Sequence, residues 1–401
     1  MSDIFKTNSR IIVTCSNRLA PYLIQEIHEL GFKPVRTFLT GVELQGTVND
    51  CIVLNLNLRC ASQVLYSLKE FPANGPDALY DNLMRYPWEE LLTPDGYISI
   101  TSNAVHFTVN NEMFVNVKVK DAIADRMRRE TSLRPDSGSE LDKAVFHLYW
   151  KDERAEIFLD TSGETLAKHG YRKIPGKAPM MESLAAATVL ATKWDRTTPF
   201  VNPMCGSSTV AIEAVMIATN RRPGLFRKNY SFMHVTGYDA NFYNEQVEKL
   251  TSQIKEVAGL KIIATDISDD AIMISKVNAG LAGVEHLIEF GVCDFAETEI
   301  PETPGVIYFN PEYGERLGEI SELEITYARI GDFMKKKCQG YLGYIFTGNL
   351  DLAKKIGLKA SRRIEFYTGK IDCRLLEYEL YGGSKRSPKQ ISNNVNAITP
   401  E

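Results

Sequence analysis

Four consecutive residues in the last quarter of the chain carry the groups that would hold the exocyclic amine of a nucleobase. Asn310, Pro311, Glu312 and Tyr313 follow the apolar run 306–309, so the pattern predicts a turn at the end of a buried strand. The Asn310 amide oxygen and the Pro311 carbonyl can accept the two N–H groups of such an amine, while the Tyr313 ring stacks on the base. Asn-Pro also begins ordinary turns, and for the tetrapeptide alone that structural alternative stays open.

A second stretch has the composition of a cofactor-binding turn. Residues 202–209 read Asn-Pro-Met-Cys-Gly-Ser-Ser-Thr and join an apolar strand to a helix. Small residues let the backbone approach a ligand, and the N-terminus of the following helix can bind a carboxylate. The stretch matches neither the G-x-x-x-x-G-K-[ST] nor the G-x-G-x-x-G pattern, which disfavours phosphate cradling and dinucleotide binding.

Acidic residues follow the next two strands. Asp266 closes the second strand, where its carboxylate can accept both ribose hydroxyls of an adenosine. Asp294 follows the third strand and is placed to accept from an adenine amino group. Each acid singly could equally be a helix N-cap or a loop carboxylate. Together with the Asn-Pro turn they predict one ligand site, and the predicted cofactor-binding residues are Asn202, Pro203, Cys205, Gly206, Thr209, Asp266, Ile267, Asp294, Phe295 and Asn310.

Alternating strands and helices must position these residues. Predicted strands lie at 199–201, 261–266, 288–293, 306–309, 341–346, 363–367 and 375–380, and predicted helices at 181–192, 209–219, 269–282, 320–337 and 350–357. Strands separated by helices imply right-handed βαβ units and a mostly parallel sheet covered on both faces. The last two strands are joined by a short turn, which requires an antiparallel hairpin.

The first part of the chain has a different pattern, typical of an α+β region. Short strands are predicted at 11–13, 41–44, 97–100, 114–117, 145–150 and 156–159, with helices at 19–30, 49–57 and 121–131. Residues 160–179 are rich in Gly and Pro and are predicted to be a connector. The polar residues beyond Gly382 are predicted to be disordered.

Composition limits the class of protein. A chain of 401 residues with 44% hydrophobic and 24% charged residues is long enough for two or three domains of an ordinary globular enzyme. No apolar run approaches the ~20 residues of a membrane helix and the first ten residues are polar, so we expect a cytoplasmic protein. The seven cysteines lack metal or disulfide spacing, and we expect no metal site. The sequence leaves the oligomeric state open.

The net charge of −5 gives no overall attraction to nucleic acid, so an RNA partner must be held by local patches. The predicted RNA-binding residues form two patches: Lys118, Lys120, Arg126, Arg128 and Arg129, and then Arg221, Arg222, Arg227 and Lys228. The second patch is interleaved with aromatic residues, which fits structured or single-stranded RNA better than duplex DNA. A solvated helix face for the first patch and aromatic packing for the second are the open alternatives.

At this point the motifs resemble a known family. The chain is similar to class I S-adenosylmethionine-dependent rRNA guanine-N2 methyltransferases that carry a THUMP domain, whose type member acts on large-subunit rRNA. Relatives are often labelled N6-adenine-specific DNA methylases. The resemblance covers nearly the whole chain and rests on residues 159–164, 170–172, 178–179, 182–186, 203–207, 212–214, 313–317 and 371–373.

The resemblance implies a domain organisation and a reaction. It implies a ferredoxin-like segment at 1–65, a THUMP domain that binds RNA at 66–165, a Rossmann-like methyltransferase domain with seven strands at 166–383, and a tail at 384–401. Some relatives carry a second methyltransferase module, and none is expected after Gly382. The implied reaction transfers a methyl group from S-adenosylmethionine to guanine N2 in ribosomal RNA, with Asn310, Pro311 and Tyr313 as catalytic residues.

Three residues depart from the family pattern. The family has Asp at the position of Asn202, Gly at that of Ser208 and a second Pro at that of Glu312. The first two changes are expected to weaken cofactor binding. The Glu312 carboxylate could accept a hydrogen bond from the guanine ring N–H and so select guanine, or could simply face solvent. Two further functions stay open: an adenine-N6 methyltransferase on DNA or RNA, and an RNA-binding protein with a decayed methylation site.

Overall fold

The computed structural model describes residues 3–109, 111–176, 179–314 and 320–381. Two β-sheets with flanking helices make up this part of the chain. The expected disordered tail and residues 315–317 of the family motif lie outside the described residues.

An eight-stranded sheet occupies the first part of the chain, in the order β2-β3-β1-β4-β8-β7-β5-β6. Its strands are β1 (Ser9–Thr14), β2 (Arg36–Phe38), β3 (Gly41–Gly46), β4 (Gln63–Pro72), β5 (Tyr97–Val105), β6 (Asp136–Ser137), β7 (Ala144–Lys151) and β8 (Arg154–Asp160). The helices of this region are α1 (Ala20–Glu29), α2 (Val48–Asn57), α3 (Pro76–Met84) and α4 (Glu112–Thr131).

β4 joins the two halves of this sheet. It pairs with β1 on one side and with β8 on the other, both antiparallel. The predicted boundary between residues 65 and 66 therefore falls within one continuous strand. A bulge between Ser67 and Lys69 shifts the register against β8, which breaks the alternation of apolar and polar residues. Because the alternation is interrupted, the sequence pattern did not predict β4.

The predicted strand at 114–117 is wrong, because these residues belong to helix α4. The Asn111 side chain caps the helix by accepting from the Met113 N–H. Val115, Val119, Ile123 and Met127 are fully buried and recur every four residues, which is the helical period. The four residues 114–117 are too few to distinguish the strand period of two residues from the helical period of 3.6.

A seven-stranded sheet occupies the rest of the chain, in the order β11-β10-β9-β12-β13-β15-β14. Its strands are β9 (Phe200–Pro203), β10 (Ile262–Asp266), β11 (Ile288–Val292), β12 (Val306–Phe309), β13 (Leu342–Thr347), β14 (Arg362–Thr368) and β15 (Ile371–Glu379). Its helices are α5 (Glu182–Ala191), α6 (Thr209–Ala218), α7 (Ala240–Ser252), α8 (Asp269–Leu281), α9 (Ile320–Lys337) and α10 (Leu350–Lys355). The first five strands are parallel and β14 and β15 form an antiparallel hairpin, so the predicted fold class is confirmed.

Short 3₁₀ turns complete the described elements, at Trp88–Glu90, Pro223–Phe226, Ser231–His234, Glu285–Leu287 and Phe295–Glu297. The turn at Pro223–Phe226 packs closely against helix α2 of the first region. A Cβ added to Gly224 would lie 2.4 Å from the Leu56 Cα of α2, so only glycine allows this approach. All ten residues of α6 are buried, and apart from Thr209 and Glu213 they are apolar.

Residues 161–176 contain no helix or strand, as expected of a connector. The segment is nevertheless packed against the rest of the protein. Ser162, His169 and Tyr171 are almost completely buried. Farther along, the Lys173 and Ile174 N–H groups donate to the Asn278 side-chain oxygen of α8, and the Asn278 amide donates to the Ile174 carbonyl. The connector is therefore attached to the second sheet's helices.

Candidate active site

The carboxyl ends of β9, β10 and β12 meet at one cavity of about 470 Å³. Parallel sheets place ligands at this edge of the sheet. Of the predicted site residues, the structure brings together Asn202, Cys205, Gly206, Thr209, Asp266, Ile267 and Asn310 on its wall. Glu312 lies on the same wall. Pro203, Pro311, Tyr313, Asp294 and Phe295 are not among the lining residues.

Two backbone N–H groups, one at each carboxylate oxygen, orient the Asp266 side chain. Its Oδ2 accepts from the Gly206 N–H at 2.9 Å, and its Oδ1 accepts from the Ser268 N–H at 3.0 Å. A carboxylate oxygen has capacity for a second hydrogen bond. Asp266 can therefore still accept the two hydroxyls of a ribose while its own position is fixed.

The turn between β9 and α6 has an unusual backbone. Met204, Gly206 and Ser208 have φ angles of 56°, 57° and 55°, in the left-handed region. For a residue with a Cβ this conformation costs roughly 1–2 kcal/mol. The Ser208 hydroxyl donates to Ser275 Oγ of α8 at 2.8 Å, and Ser208 does not line the cavity. Its added side chain is therefore accommodated beside α8 instead of in the ligand space.

Asn202 lines the cavity and carries a buried side-chain acceptor. Its Nδ2 donates to the Tyr308 carbonyl at 2.9 Å, which determines the orientation of the amide. Its Oδ1 is buried and has no hydrogen-bond partner among the described residues. A buried polar atom of this kind is costly unless a ligand satisfies it. The atom fits the protonated amine of an amino-acid ligand.

Two residues of the Asn-Pro turn, Asn310 and Glu312, line the same cavity. Asn310 is half-buried, Pro311 is buried and Glu312 is exposed. Tyr313 is held by residues after β13: its carbonyl accepts from the Asn349 side chain, and a Cβ added to Gly348 would lie 3.1 Å from its ring. Gly348 and Asn349 were missed by the sequence analysis, although Gly-Asn directly after a strand is a turn signal.

Asp294 and Phe295 have other partners in this structure. The Arg329 guanidinium donates to both Asp294 carboxylate oxygens, at 2.8 and 2.9 Å, and lies over the Phe295 ring. Burial alone would raise the pKa of Asp294, but the Ala296 N–H and Arg329 outweigh it and lower the pKa. Phe295 packs edge-on against Phe309 and Phe333. An adenine amine would have to share Asp294 with Arg329.

The connector supplies part of the cavity wall that the sequence analysis did not assign. Gly176, Pro179 and Met180 line it, together with Asp270 and Ile274. The Gly and Pro residues of this segment could have predicted this, because Gly lets the backbone approach a ligand closely. Cys205 also lines the cavity, and burial raises its pKa to about 12, so it remains a neutral thiol.

The first predicted RNA patch lies on α4, and most of its charges are paired. Lys118 pairs with Asp77, Lys120 with Asp121 and Arg129 with Glu130. Arg126 donates twice to Glu89. Arg128 is exposed and forms no ion pair with a described residue. Surface pairs of this kind are weak, so they limit this patch's attraction for phosphate without excluding it.

The second predicted patch is divided between two environments. Arg221 and Arg222 are half-buried, and their Nε atoms are buried without a partner among the described residues. The Arg227 guanidinium donates to the carbonyls of Ser162, Glu164 and Thr165. Lys228 is exposed.

Within the described ranges, no cluster of three or more His, Cys, Asp or Glu side chains has a geometry that could hold a metal ion. Among the helices in this same part of the chain, none is long and apolar enough to cross a membrane.

A mostly parallel sheet that ends in an antiparallel hairpin, with a cavity at its carboxyl edge, is a Rossmann-like α/β architecture. The sequence profile of the RMKL-like methyltransferase domain matches residues 169–377. The profile of the RlmL ferredoxin-like domain matches residues 10–65, and that of the THUMP domain matches residues 74–160. The chain belongs to the RMKL-like methyltransferase family, with ferredoxin-like and THUMP domains before the methyltransferase domain.

Individual relatives agree with this assignment. The ribosomal RNA large subunit methyltransferase K/L of Syntrophotalea carbinolica is 33% identical over 383 residues, covering 92% of this chain and 53% of the relative. The chain thus spans about half the length of the curated relatives it matches. The crystal structure of SMU.472 complexed with SAH has a TM-score of 0.84 and 25% identity, over 95% of this chain and 100% of that one. A predicted N6-adenine-specific DNA methylase from Listeria monocytogenes has a TM-score of 0.83 and 28% identity, over 94% and 97%.

Proposed function

We propose that this protein transfers a methyl group from S-adenosylmethionine to the N2 amine of a guanine in large-subunit ribosomal RNA. The observation that carries the proposal is the shared cavity, where Asn310 faces the same space as Asn202 and Asp266. The names of the K/L relatives support ribosomal RNA as the substrate. The complex of SMU.472 with SAH, the demethylated form of the donor, supports the choice of cofactor.

The residues on the donor side of the cavity fit this cofactor. S-adenosylmethionine supplies the methyl group on a positively charged sulfonium. Asp266 would accept the ribose hydroxyls, and the unpaired Asn202 Oδ1 would accept from the amine of the methionine part. The N-terminus of α6, which begins at Thr209, would bind the carboxylate because its first N–H groups have no partner within the helix. Asn202 can thus replace the family's Asp as an acceptor, although without its charge.

The Asn-Pro turn would orient the guanine amine. The amine lone pair is delocalised into the ring, and accepting both N–H groups at Asn310 and at the Pro311 carbonyl favours a pyramidal nitrogen directed at the methyl carbon. This is an effect of orientation and needs no strong base. Tyr313 would stack on the extruded base. The proton leaves the product for water or for a nearby carboxylate such as Glu312.

Nucleoside analysis tests the proposal directly. Unmodified large-subunit rRNA would be incubated with the protein and isotopically labelled S-adenosylmethionine, digested, and separated by mass spectrometry. We expect label in N2-methylguanosine. Label in N6-methyladenosine would contradict the proposal in favour of an adenine methyltransferase. The Listeria relative's designation supports that second candidate, because the same two acceptors suit either amine.

A ligand titration distinguishes a methyltransferase from an RNA-binding protein whose methylation site has decayed. Calorimetry with S-adenosylhomocysteine is expected to give one binding site per chain. Absence of binding at millimolar ligand, together with retained RNA binding, would indicate an RNA-binding protein without methyltransferase activity.

A further inference from the structure

A groove beside the connector carries an excess of positive charge in a protein that is negative overall. Its volume is about 460 Å³, and we refer to it as the connector groove. Five cationic side chains line it against two carboxylates, Glu164 and Glu182. The cationic residues are Lys168, Arg172, Lys173, Arg227 and Lys228. The net charge of the chain is −5, so this local reversal of sign is a specific feature of the surface.

The two arginines are engaged in hydrogen bonds that build the groove. Arg172 donates to Glu182 at 2.6 Å and to the Met180 carbonyl at 3.0 Å. Arg227 donates to three carbonyls of residues 162–165 and lies over the Tyr230 ring. Planar guanidinium groups with several donors are well suited to such a structural role. They hold the connector in the shape that forms the groove.

The three lysines have the opposite character. Lys168, Lys173 and Lys228 are exposed, and none of them forms an ion pair with a residue of the described ranges. They come from two segments far apart in sequence, and the groove brings them together. Ammonium groups on flexible stems act as point charges for phosphate. The charged side chains that remain for a ligand are these three cations and the exposed carboxylate of Glu164, and their net positive charge favours a polyanion.

The groove begins next to the donor cavity. Pro175 lines the groove and the adjacent residue, Gly176, lines the cavity. Lys173 is held in place through its own N–H, which donates to Asn278 of α8. The neighbouring turn of the same helix contributes Ile274 to the cavity wall. A strand whose base enters the cavity can therefore continue along the groove.

We propose that the connector groove binds the phosphodiester backbone of the single-stranded RNA segment beside the target nucleotide, through Lys168, Lys173 and Lys228. This proposal rests on the proposed function, since it names how the same substrate reaches the same cavity. An extruded base requires its neighbours to leave the duplex locally. The groove is the size of a small-ligand site, which suits a few backbone groups of a single strand rather than the face of a duplex.

Charge-reversal variants test the groove. The variant K168E/K173E/K228E would be compared with K249E/K337E/K359E, which makes the same change of charge at exposed lysines outside the groove. The dissociation constant for an unmodified rRNA fragment would be measured between 50 and 200 mM KCl, and that for S-adenosylmethionine by calorimetry. Circular dichroism checks folding, and the triple Lys→Gln variant replaces any charge-reversal protein that fails to fold.

We expect the groove variant to bind the rRNA fragment at least tenfold more weakly, with the S-adenosylmethionine affinity unchanged. The slope of log K against log[KCl] should become shallower by about 2, since each phosphate contact on a single strand contributes about 0.7. The control should stay within threefold of wild type. Equal losses in the two variants, or an unchanged slope in the groove variant, would overturn the proposal, as would a wild-type protein that binds no RNA.

Failure of the groove and failure of the proposed function give different results. If the wild type methylates guanine and the groove variant binds RNA normally, only the groove proposal fails. If the wild type binds RNA through the groove but forms no methylated guanosine, the groove stands and the proposed reaction fails.

Discussion

His169 and Glu213 form an ion pair in the interior of the protein, with 2.7 Å between the His169 Nδ1 and the Glu213 Oε1 and neither side chain exposed. The His169 Nε2 donates to the Arg59 carbonyl at 2.9 Å, because a carbonyl can only accept. The Tyr171 hydroxyl also donates to Glu213 Oε1. Acceptors at both ring nitrogens favour the charged imidazolium form of His169. The His169–Glu213 pair therefore connects the region of the first sheet, the connector and α6.

This pair predicts a dependence of stability on pH. Burial alone would lower the pKa of His169, but the charge and hydrogen bond of Glu213 outweigh it, so the pKa is raised. The unfolded value is about 6.5. Because the folded pKa is higher, the stabilisation is complete below the unfolded value and is lost as pH rises through the folded value. His169→Gln should lower the free energy of unfolding by roughly 3–5 kcal/mol at pH 6 and by less at pH 9.

Urea unfolding at the two pH values measures this difference. The matched control is His286→Gln, since His286 is exposed. An equal loss for His169→Gln at pH 6 and at pH 9 would show that His169 is neutral in the folded protein.

Asp266→Ala should weaken binding of S-adenosylmethionine by at least tenfold, because it removes the acceptor of the ribose hydroxyls. Hydrogen bonds to a charged group contribute roughly 1.5–3 kcal/mol each. Isothermal calorimetry gives the dissociation constant. Asp269→Asn, an exposed change three residues beyond the proposed ribose contact, serves as the control. If the two variants bind equally well, Asp266 does not contact the donor.

Asn310→Ala should lower kcat by about 10²–10³, the cost of removing one oriented polar group that acts on the reacting atoms. The dissociation constant of S-adenosylhomocysteine should change much less, since Asn310 acts on the amine. Single-turnover methylation of unmodified rRNA measures the rate. A full-rate variant, or one whose only defect is donor affinity, would be incompatible with the proposed orientation of the amine.

Glu312 is exposed at the cavity wall, and the hypothesis that its carboxylate selects guanine can be tested there. We expect Glu312→Pro, which restores the family residue, to reduce the preference for guanine over adenine in a competition between rRNA fragments that differ at the target base. Glu312→Gln should give an intermediate preference, because the amide oxygen is a weaker acceptor. Faster transfer by Glu312→Pro with the guanine preference intact would contradict a role in selection.

The strands of the seven-stranded sheet, and the sheet edge at which the predicted site residues meet, follow from local sequence patterns. β9, β10 and β12 each begin as a short buried apolar run and end at, or are followed directly by, polar residues, so the pattern is local and can be read directly. Parallel strands then require those carboxyl ends to share an edge. Asn202, Asp266 and Asn310 were predicted together for this reason, and the structure places them on one cavity.

Which polar groups are paired with partners from distant segments depends on the tertiary structure. Arg329 lies 35 residues from Asp294, and Glu213 lies 44 residues from His169, so no local period reveals either pair. The same holds for Arg227, whose donors are taken by carbonyls from another segment, while Lys168 and Lys173 join Lys228 in one groove. Local sequence determines periodicity and turns, whereas partners across a fold depend on how complete elements pack against one another.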